Sequence, residues 1–315
     1  MDEDALPYGE RVGPGAPVRT ADAGPDDPLP GPLPGPLPGP LVGPDWLAGR
    51  LGSPGLLVLD ASVGAHRGSA QRIVGARPFD IDGTLSDHTG PLPHTMPDAG
   101  RFTEELRSLG LHDGDTVVVY DAVGIYSSAR AWWMLRAMGF DRVAVLDGGL
   151  PGWAAAGLPT EDGAPTAPAE RGDFTARPRA GLLVGADAVA AALSDPASAV
   201  FDARSRERFR GTAPEPRPGL RGGHMPGAVS LPFGEIQHEG RMRPAEELRA
   251  AFTALAQDRE RLFFSCGSGV TACVLTLGAA LAGYRELAVY DGSWSEWGLP
   301  SEHRPVVTDQ EAEAG

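Results

Sequence analysis

Cys266 stands where a short apolar run breaks, in Leu262-Phe263-Phe264-Ser265-Cys266-Gly267-Ser268-Gly269-Val270-Thr271-Ala272. That order predicts a strand, a glycine-rich loop and the start of a helix. Small residues at 267 to 269 let the backbone curl so that successive N–H groups converge on one point, and the following helix adds the positive end of its dipole. A sulfur anion is stabilised in such a place, which makes Cys266 a candidate nucleophile. An isolated free cysteine is more often a small buried hydrophobe; the strand, loop and helix separate Cys266 from that reading, whereas Cys273, in the apolar helix, is expected to be core packing. Ser268 and Thr271 carry hydroxyls in the same loop and are placed to hydrogen-bond sulfur or a leaving group, although such residues also serve simply as turn formers.

The elements that must position this loop occur twice. Leu56-Leu57-Val58-Leu59-Asp60-Ala61-Ser62 returns as Ala199-Val200-Phe201-Asp202-Ala203-Arg204-Ser205, Thr116-Val117-Val118-Val119-Tyr120-Asp121 as Arg261-Leu262-Phe263-Phe264-Ser265-Cys266, and Val145-Leu146-Asp147-Gly148-Gly149 as Val289-Tyr290-Asp291-Gly292-Ser293. The offsets are 202 − 60 = 142, 266 − 121 = 145 and 291 − 147 = 144. Spacing this constant predicts two copies of one domain. The runs are rich in Val, Leu and Phe without alternation, as in strands buried on both faces of a parallel sheet. Helical composition lies between them, at Ala129 to Met138 and at Ala245 to Ala256, the latter with Pro244 at its start and Leu248, Phe252 and Leu255 on one face. Each copy is therefore expected to be an α/β domain, a mainly parallel sheet flanked by helices, with ligands at the carboxyl ends of the strands, where Cys266 lies. The expected boundaries are a Pro/Gly-rich tail over 1–40, a first domain over 41–159, a linker over 160–184, a second domain over 185–303 and a tail over 304–315. Where the second copy has Cys266 the first has Asp121, and a carboxylate cannot replace a sulfur nucleophile, so the first domain is expected to be catalytically inactive.

Composition narrows the chemistry. The 27 cationic side chains are all arginine, which removes lysine Schiff bases, lysine-anchored cofactors and the P-loop lysine. A formal net charge of −15 argues against nucleic acid or an anionic membrane as partner. Two cysteines seven apart form neither a disulfide framework nor zinc-binding CxxC pairs, so no metal or cofactor is expected and a reducing compartment, by default the cytoplasm, is. The acidic start Met1-Asp2-Glu3-Asp4 lacks a signal-peptide pattern, and no run of apolar residues is long enough to span a membrane.

With these residues in hand the chain resembles the rhodanese superfamily, and within it the tandem-domain sulfurtransferases acting on 3-mercaptopyruvate or thiosulfate. The resemblance rests on Cys266-Gly267-Ser268-Gly269-Val270-Thr271-Ala272, Asp291-Gly292-Ser293-Trp294-Ser295-Glu296-Trp297-Gly298, Gly223-His224-Met225-Pro226-Gly227-Ala228, the run from Leu85 through Pro93-His94, and Ser128-Ala129-Arg130-Ala131-Trp132-Trp133-Met134-Leu135. It covers roughly residues 41 to 303. It implies that sulfur passes from a small anionic donor to Cys266 as a persulfide and then to a thiol, thioredoxin or cyanide. It also implies that Arg208 and Arg217 grip the donor carboxylate, as guanidinium forks do bidentately; Arg204, Arg206 and Arg210 in the same segment have no such match. Thiosulfate-preferring relatives carry Arg and Lys at the second and third loop positions, so Gly267 and Ser268 favour mercaptopyruvate. The family's first-domain relay histidine would stand at Arg72, in Arg72-Ile73-Val74-Gly75-Ala76, which leaves that place without an imidazole and His66 as the substitute; His224 is expected to make a structural hydrogen bond.

Two other classes remain. A phosphatase of this fold needs Arg six positions after the cysteine, where Ala272 stands. The other is a non-catalytic rhodanese-like binding or sulfur-carrier module, and the intact cysteine loop argues against it.

Overall fold

The computed structural model of the chain describes residues 37–163 and 170–309. The Pro/Gly-rich tail expected over 1–40 lies outside the described residues up to position 36, as do 310–315. Each half contains a five-stranded sheet in which every pairing is parallel. In the first the strand order is Leu41–Val42, Val143–Leu146, Thr116–Tyr120, Leu56–Asp60, Arg77–Pro78. In the second it is Leu183–Val184, Glu286–Tyr290, Arg261–Ser265, Ser198–Asp202, Val229–Ser230. Position for position these are the same sheet, so the sequence repeat is a repeat of topology. The central strands are apolar on both faces because helices cover both, and Val117, Val118, Val119, Leu262 and Phe264 are all buried.

The helix Ser128–Ala137 and its mate Ala272–Ala282 start just beyond the loops that follow the two central strands. Both are buried almost all round, including Trp132, Trp133, Leu275 and Leu277. Helices of that kind belong inside a core and not on a surface. One apolar cluster accordingly runs through both halves, from Phe102 and Trp133 to Phe252 and Leu277. The two loops that follow the central strands therefore both face the seam between the domains.

The segment from 160 to 184 is not featureless. Thr160–Asp162 pairs antiparallel with Gln71–Ile73 of the first domain, and Leu183–Val184 forms the edge of the second sheet. Beyond 303, the N–H and C=O of Val307 pair with His224. Among the described residues, no helix is long and apolar enough to cross a membrane.

Candidate active site

The loop from Cys266 to Thr271 is pinned from behind. Trp294 N–H donates to the Cys266 carbonyl at 2.9 Å, and Ser295 donates to the Gly267 carbonyl through its N–H at 2.9 Å and its Oγ at 2.7 Å. Cys266 N–H donates to Ser293 Oγ at 3.2 Å, and Cys273 Sγ donates to the Gly269 carbonyl at 3.3 Å. With those carbonyls drawn to the far side, the N–H groups from Gly267 to Ala272 are left over: among the described residues, no oxygen accepts from any of them. Gly269 makes the bend possible, at φ +79° and with Asp291 O only 2.8 Å from where a Cβ would stand.

The first domain shows what such a loop binds. In the equivalent turn the Asp121 carboxylate folds back, and its Oδ2 accepts from the N–H groups of Tyr126 at 2.8 Å, Ser127 at 3.0 Å and Ser128 at 2.8 Å and from Ser128 Oγ at 2.7 Å. Oδ1 takes Val123 N–H at 3.1 Å. The loop is an anion nest whose anion, in this half, is its own side chain. In the second half the residue at the same position is Cys266, a free cysteine, 2% exposed.

Around Cys266 the structure brings together residues from both domains. His94 Nδ1 lies 2.9 Å from Ser268 Oγ, and His94 Nε2 lies 3.1 Å from Asp82 Oδ1. Burial pushes the Asp82 carboxyl up, but the His94 hydrogen bond, the Gly64 N–H at 2.6 Å and the charges of His94 and Arg67 outweigh it and hold the group below the usual carboxylate range. An ionised Asp82 only accepts, so His94 Nε2 donates to it, which leaves Nδ1 facing the Ser268 hydroxyl. The His94 side chain is 18% exposed and that of Arg208 13%, so solvent meets the cluster on the side where these two stand.

The two arginines named from the sequence lie over the loop. Arg208 Nη2 is 3.3 Å and Arg217 Nη1 3.7 Å from the point where a Gly267 Cβ would be. Arg208 donates through Nη2 to Glu215 Oε2 at 2.7 Å. Glu215 is also held by Arg204 at 2.7 Å. Arg204 is structural: it is buried against Asp202 and lies 3.9 Å over the Trp294 ring. Arg206 and Arg210 pair at the surface with Glu235 and Asp309. His224 stacks on Phe209, with ring centroids 3.8 Å apart, and its Nδ1 lies 2.8 Å from the Phe209 carbonyl. Burial pushes the Cys273 thiol up to about 12, which suits a core residue. Among the described residues, no cluster of His, Cys, Asp and Glu could hold a metal ion.

Contrary to the expectation drawn from Arg72, the first domain does bring an imidazole to the loop, and it is His94. Arg72 lies on the Gln71–Ile73 strand, where it pairs with Glu161 at 2.9 Å, and His66 is exposed in a short 3-10 turn. His94 closes the run from Leu85 that carried the family resemblance, but that run gave it no role, because its partner Ser268 is 174 residues away. The repeat did carry a signal: the position 146 residues on, aligned through Met96 and Met242, is Gly240. A histidine in one copy thus faces a glycine in the other.

Comparison with known proteins agrees with this geometry. Residues 43–156 and 185–299 each match the rhodanese-like domain family. The chain is 40% identical over 264 residues to the 3-mercaptopyruvate sulfurtransferase of Escherichia coli strain K12, covering 81% of this chain and 93% of that one. It is 39% identical over 283 residues to the mitochondrial thiosulfate/3-mercaptopyruvate sulfurtransferase 1 of Arabidopsis thaliana, covering 80% of this chain and 74% of that one. The crystal structure of SseA from Escherichia coli superposes with a TM-score of 0.73 at 36% identity, covering 82% of this chain and all of that one. The chain belongs to the rhodanese-like family and is a sulfurtransferase built from two such domains in tandem.

Proposed function

We propose that the chain transfers sulfur from 3-mercaptopyruvate to a thiol, thioredoxin or cyanide through a persulfide on Cys266. The observation that carries this reading is the row of N–H groups from Gly267 to Ala272 that no oxygen takes among the described residues, at positions whose first-domain counterparts Val123, Tyr126 and Ser127 bind the Asp121 carboxylate. An anionic sulfur on Cys266, or the terminal sulfur of its persulfide, takes the place that the Asp121 carboxylate takes there.

The proton route takes its second leg from the Ser268–His94 and His94–Asp82 hydrogen bonds and its first leg from the position of Ser268 two residues after Cys266 in the same loop. The Cys266 thiol proton passes through Ser268 Oγ to His94 Nδ1, and Asp82 stabilises the imidazolium that results. The thiolate attacks the donor sulfur; the carbon–sulfur bond breaks and leaves its electron pair as the enolate of pyruvate. The imidazolium returns the proton through Ser268, so one thiol and one mercaptopyruvate give one persulfide and one pyruvate. Attack by an acceptor thiolate on the outer sulfur then regenerates Cys266.

Arg208 and Arg217 hold the donor carboxylate over Gly267. Glu215 at the back of Arg208, bonded to its Nε and Nη2, keeps the guanidinium from collapsing onto the loop. A dianion such as thiosulfate finds no cation in the loop itself, since Gly267 and Ser268 are neutral, and so mercaptopyruvate is the favoured donor. Steady-state comparison of the two donors tests this: kcat/KM for 3-mercaptopyruvate should exceed that for thiosulfate by at least about tenfold, and the reverse order would refute the donor assignment.

A further inference from the structure

His94 has a backbone φ of +59°, in the left-handed region that side-chain-bearing residues occupy only under strain. It is held there from both sides by two residues that do not touch Ser268. Arg130, from the buried helix of the first domain, donates through Nη2 to the His94 carbonyl at 2.8 Å and to Asp291 Oδ1 at 2.6 Å. Asp291, from the second domain, accepts the Met96 N–H on Oδ2 at 2.9 Å. The strained residue is thus tied at its own carbonyl and two residues later by one ion pair that crosses the domain seam.

The repeat supplies a built-in control. In the inactive half, Asp147 accepts the Met242 N–H at 3.0 Å, as Asp291 accepts that of Met96. The position matching His94 is Gly240, which adopts φ +73° without penalty. The position matching Arg130 is Leu275 (130 + 145 = 275). The aspartate of the inactive half has a different partner: Asp147 pairs at 3.5 Å with Arg241, whose side chain is 42% exposed. A fully buried arginine on the aspartate appears in the half where the left-handed residue is a histidine with a proton to move.

Burying the Arg130 guanidinium completely is costly even with a partner, and among the described residues its Nε and Nη1 meet no oxygen or nitrogen acceptor, the Cys273 thiol being the polar group beside them. An apolar residue serves at the matching place, so the cation is poorly explained by stability. We infer that Arg130 and Asp291 are positioning residues for the sulfur-transfer reaction, a clamp between domains that fixes the left-handed His94 so that its Nδ1 reaches Ser268. This rests on the His94 relay set out above.

The test is a double-mutant cycle on kcat with 3-mercaptopyruvate, using Arg130→Met, Asp291→Asn and His94→Ala. A misplacement of the imidazole on the order of 1 Å can cost about a hundredfold. Arg130→Met is therefore expected to lower kcat by about 30- to 100-fold with KM changed less than about threefold, and Arg130→Lys to restore part of it. In the His94→Ala background the same Arg130→Met change is expected to cost less than about threefold, because the group it positions is gone. Equal factors in the two backgrounds would mean a general structural role and would overturn the clamp. Full turnover by His94→Ala would instead overturn the relay on which the clamp rests. Should Arg130→Met fail to fold, Asp291→Asn, which is isosteric, carries the same cycle and the same two outcomes.

Discussion

Replacing Arg208 by alanine probes how the donor is held. Glu215 is 2% exposed at its side chain and bonded to both Arg208 and Arg204. After the substitution it keeps Arg204, which is itself anchored to Asp202, so the loop between 204 and 217 retains its internal support. The incoming carboxylate loses one of the two guanidinium groups above Gly267, and the Glu215 charge facing it is less well compensated. Hydrogen bonds to charged groups are worth about 1.5–3 kcal/mol, which corresponds to a rise in KM of roughly 10- to 150-fold. Cys266, Ser268 and His94 are untouched, so kcat should stay within about threefold. Arg208→Lys, which keeps the charge but loses the planar fork, should fall between alanine and wild type. The assay is steady-state pyruvate release from 3-mercaptopyruvate, coupled to NADH oxidation by lactate dehydrogenase, with thiosulfate as a comparison donor whose KM should rise less. If Arg208→Ala combined with Arg217→Ala leaves kcat/KM for mercaptopyruvate within about twofold, the carboxylate is not held by these arginines.

Ser268→Ala breaks the proton route between the loop and His94 and should lower kcat by about 10²- to 10³-fold, measured with the same assay, while KM changes little. Asp82→Asn tests the electrostatics. The folded-state Asp82 is depressed, so it contributes stability that is present above its unfolded value, near 3.8, and is lost as pH falls through the lower folded value. Urea unfolding across pH 2 to 6 should therefore show the wild type losing its advantage over Asp82→Asn on the acid side of about pH 4, and a constant difference would contradict the assignment. Gly269→Ala forces a side chain into φ +79° with the Asp291 carbonyl 2.8 Å from its Cβ; it should cost on the order of 2 kcal/mol in denaturant unfolding and abolish turnover.

Much of this architecture was legible from residue patterns. The constant offset between the two halves carried the duplication, and the unbroken apolar runs carried the parallel sheets, because strands covered on both faces have no polar side to alternate with. The Cys266 loop was legible because its glycines and the helix behind it are consecutive in the chain, and Arg208 and Arg217 because a family resemblance pointed to them. His94, Asp82 and Arg130 were not assigned a role. Their contacts arise at the seam between domains, where Ser268 and Asp291 approach from the other half, and local sequence holds no record of that docking. Looking for the relay at Arg72 failed for the same reason: that position faces the Thr160–Asp162 strand, away from the loop. That strand, Thr160-Glu161-Asp162, escaped notice because it has no apolar alternation and is held by backbone pairing and the Arg72–Glu161 ion pair. Asp121 was seen as a lost nucleophile, but its place as the occupant of its own anion nest became visible only from the hydrogen bonds.

The most direct measurement exposes the protein to 3-mercaptopyruvate without an acceptor and follows intact and peptide mass together with released pyruvate. The expected result is about one equivalent of pyruvate and a gain of about 32 Da, one sulfur, on the peptide containing Cys266, with neither seen for Cys266→Ser. Pyruvate release by Cys266→Ser at the wild-type rate, or sulfur found on Cys273 in place of Cys266, would contradict the persulfide mechanism.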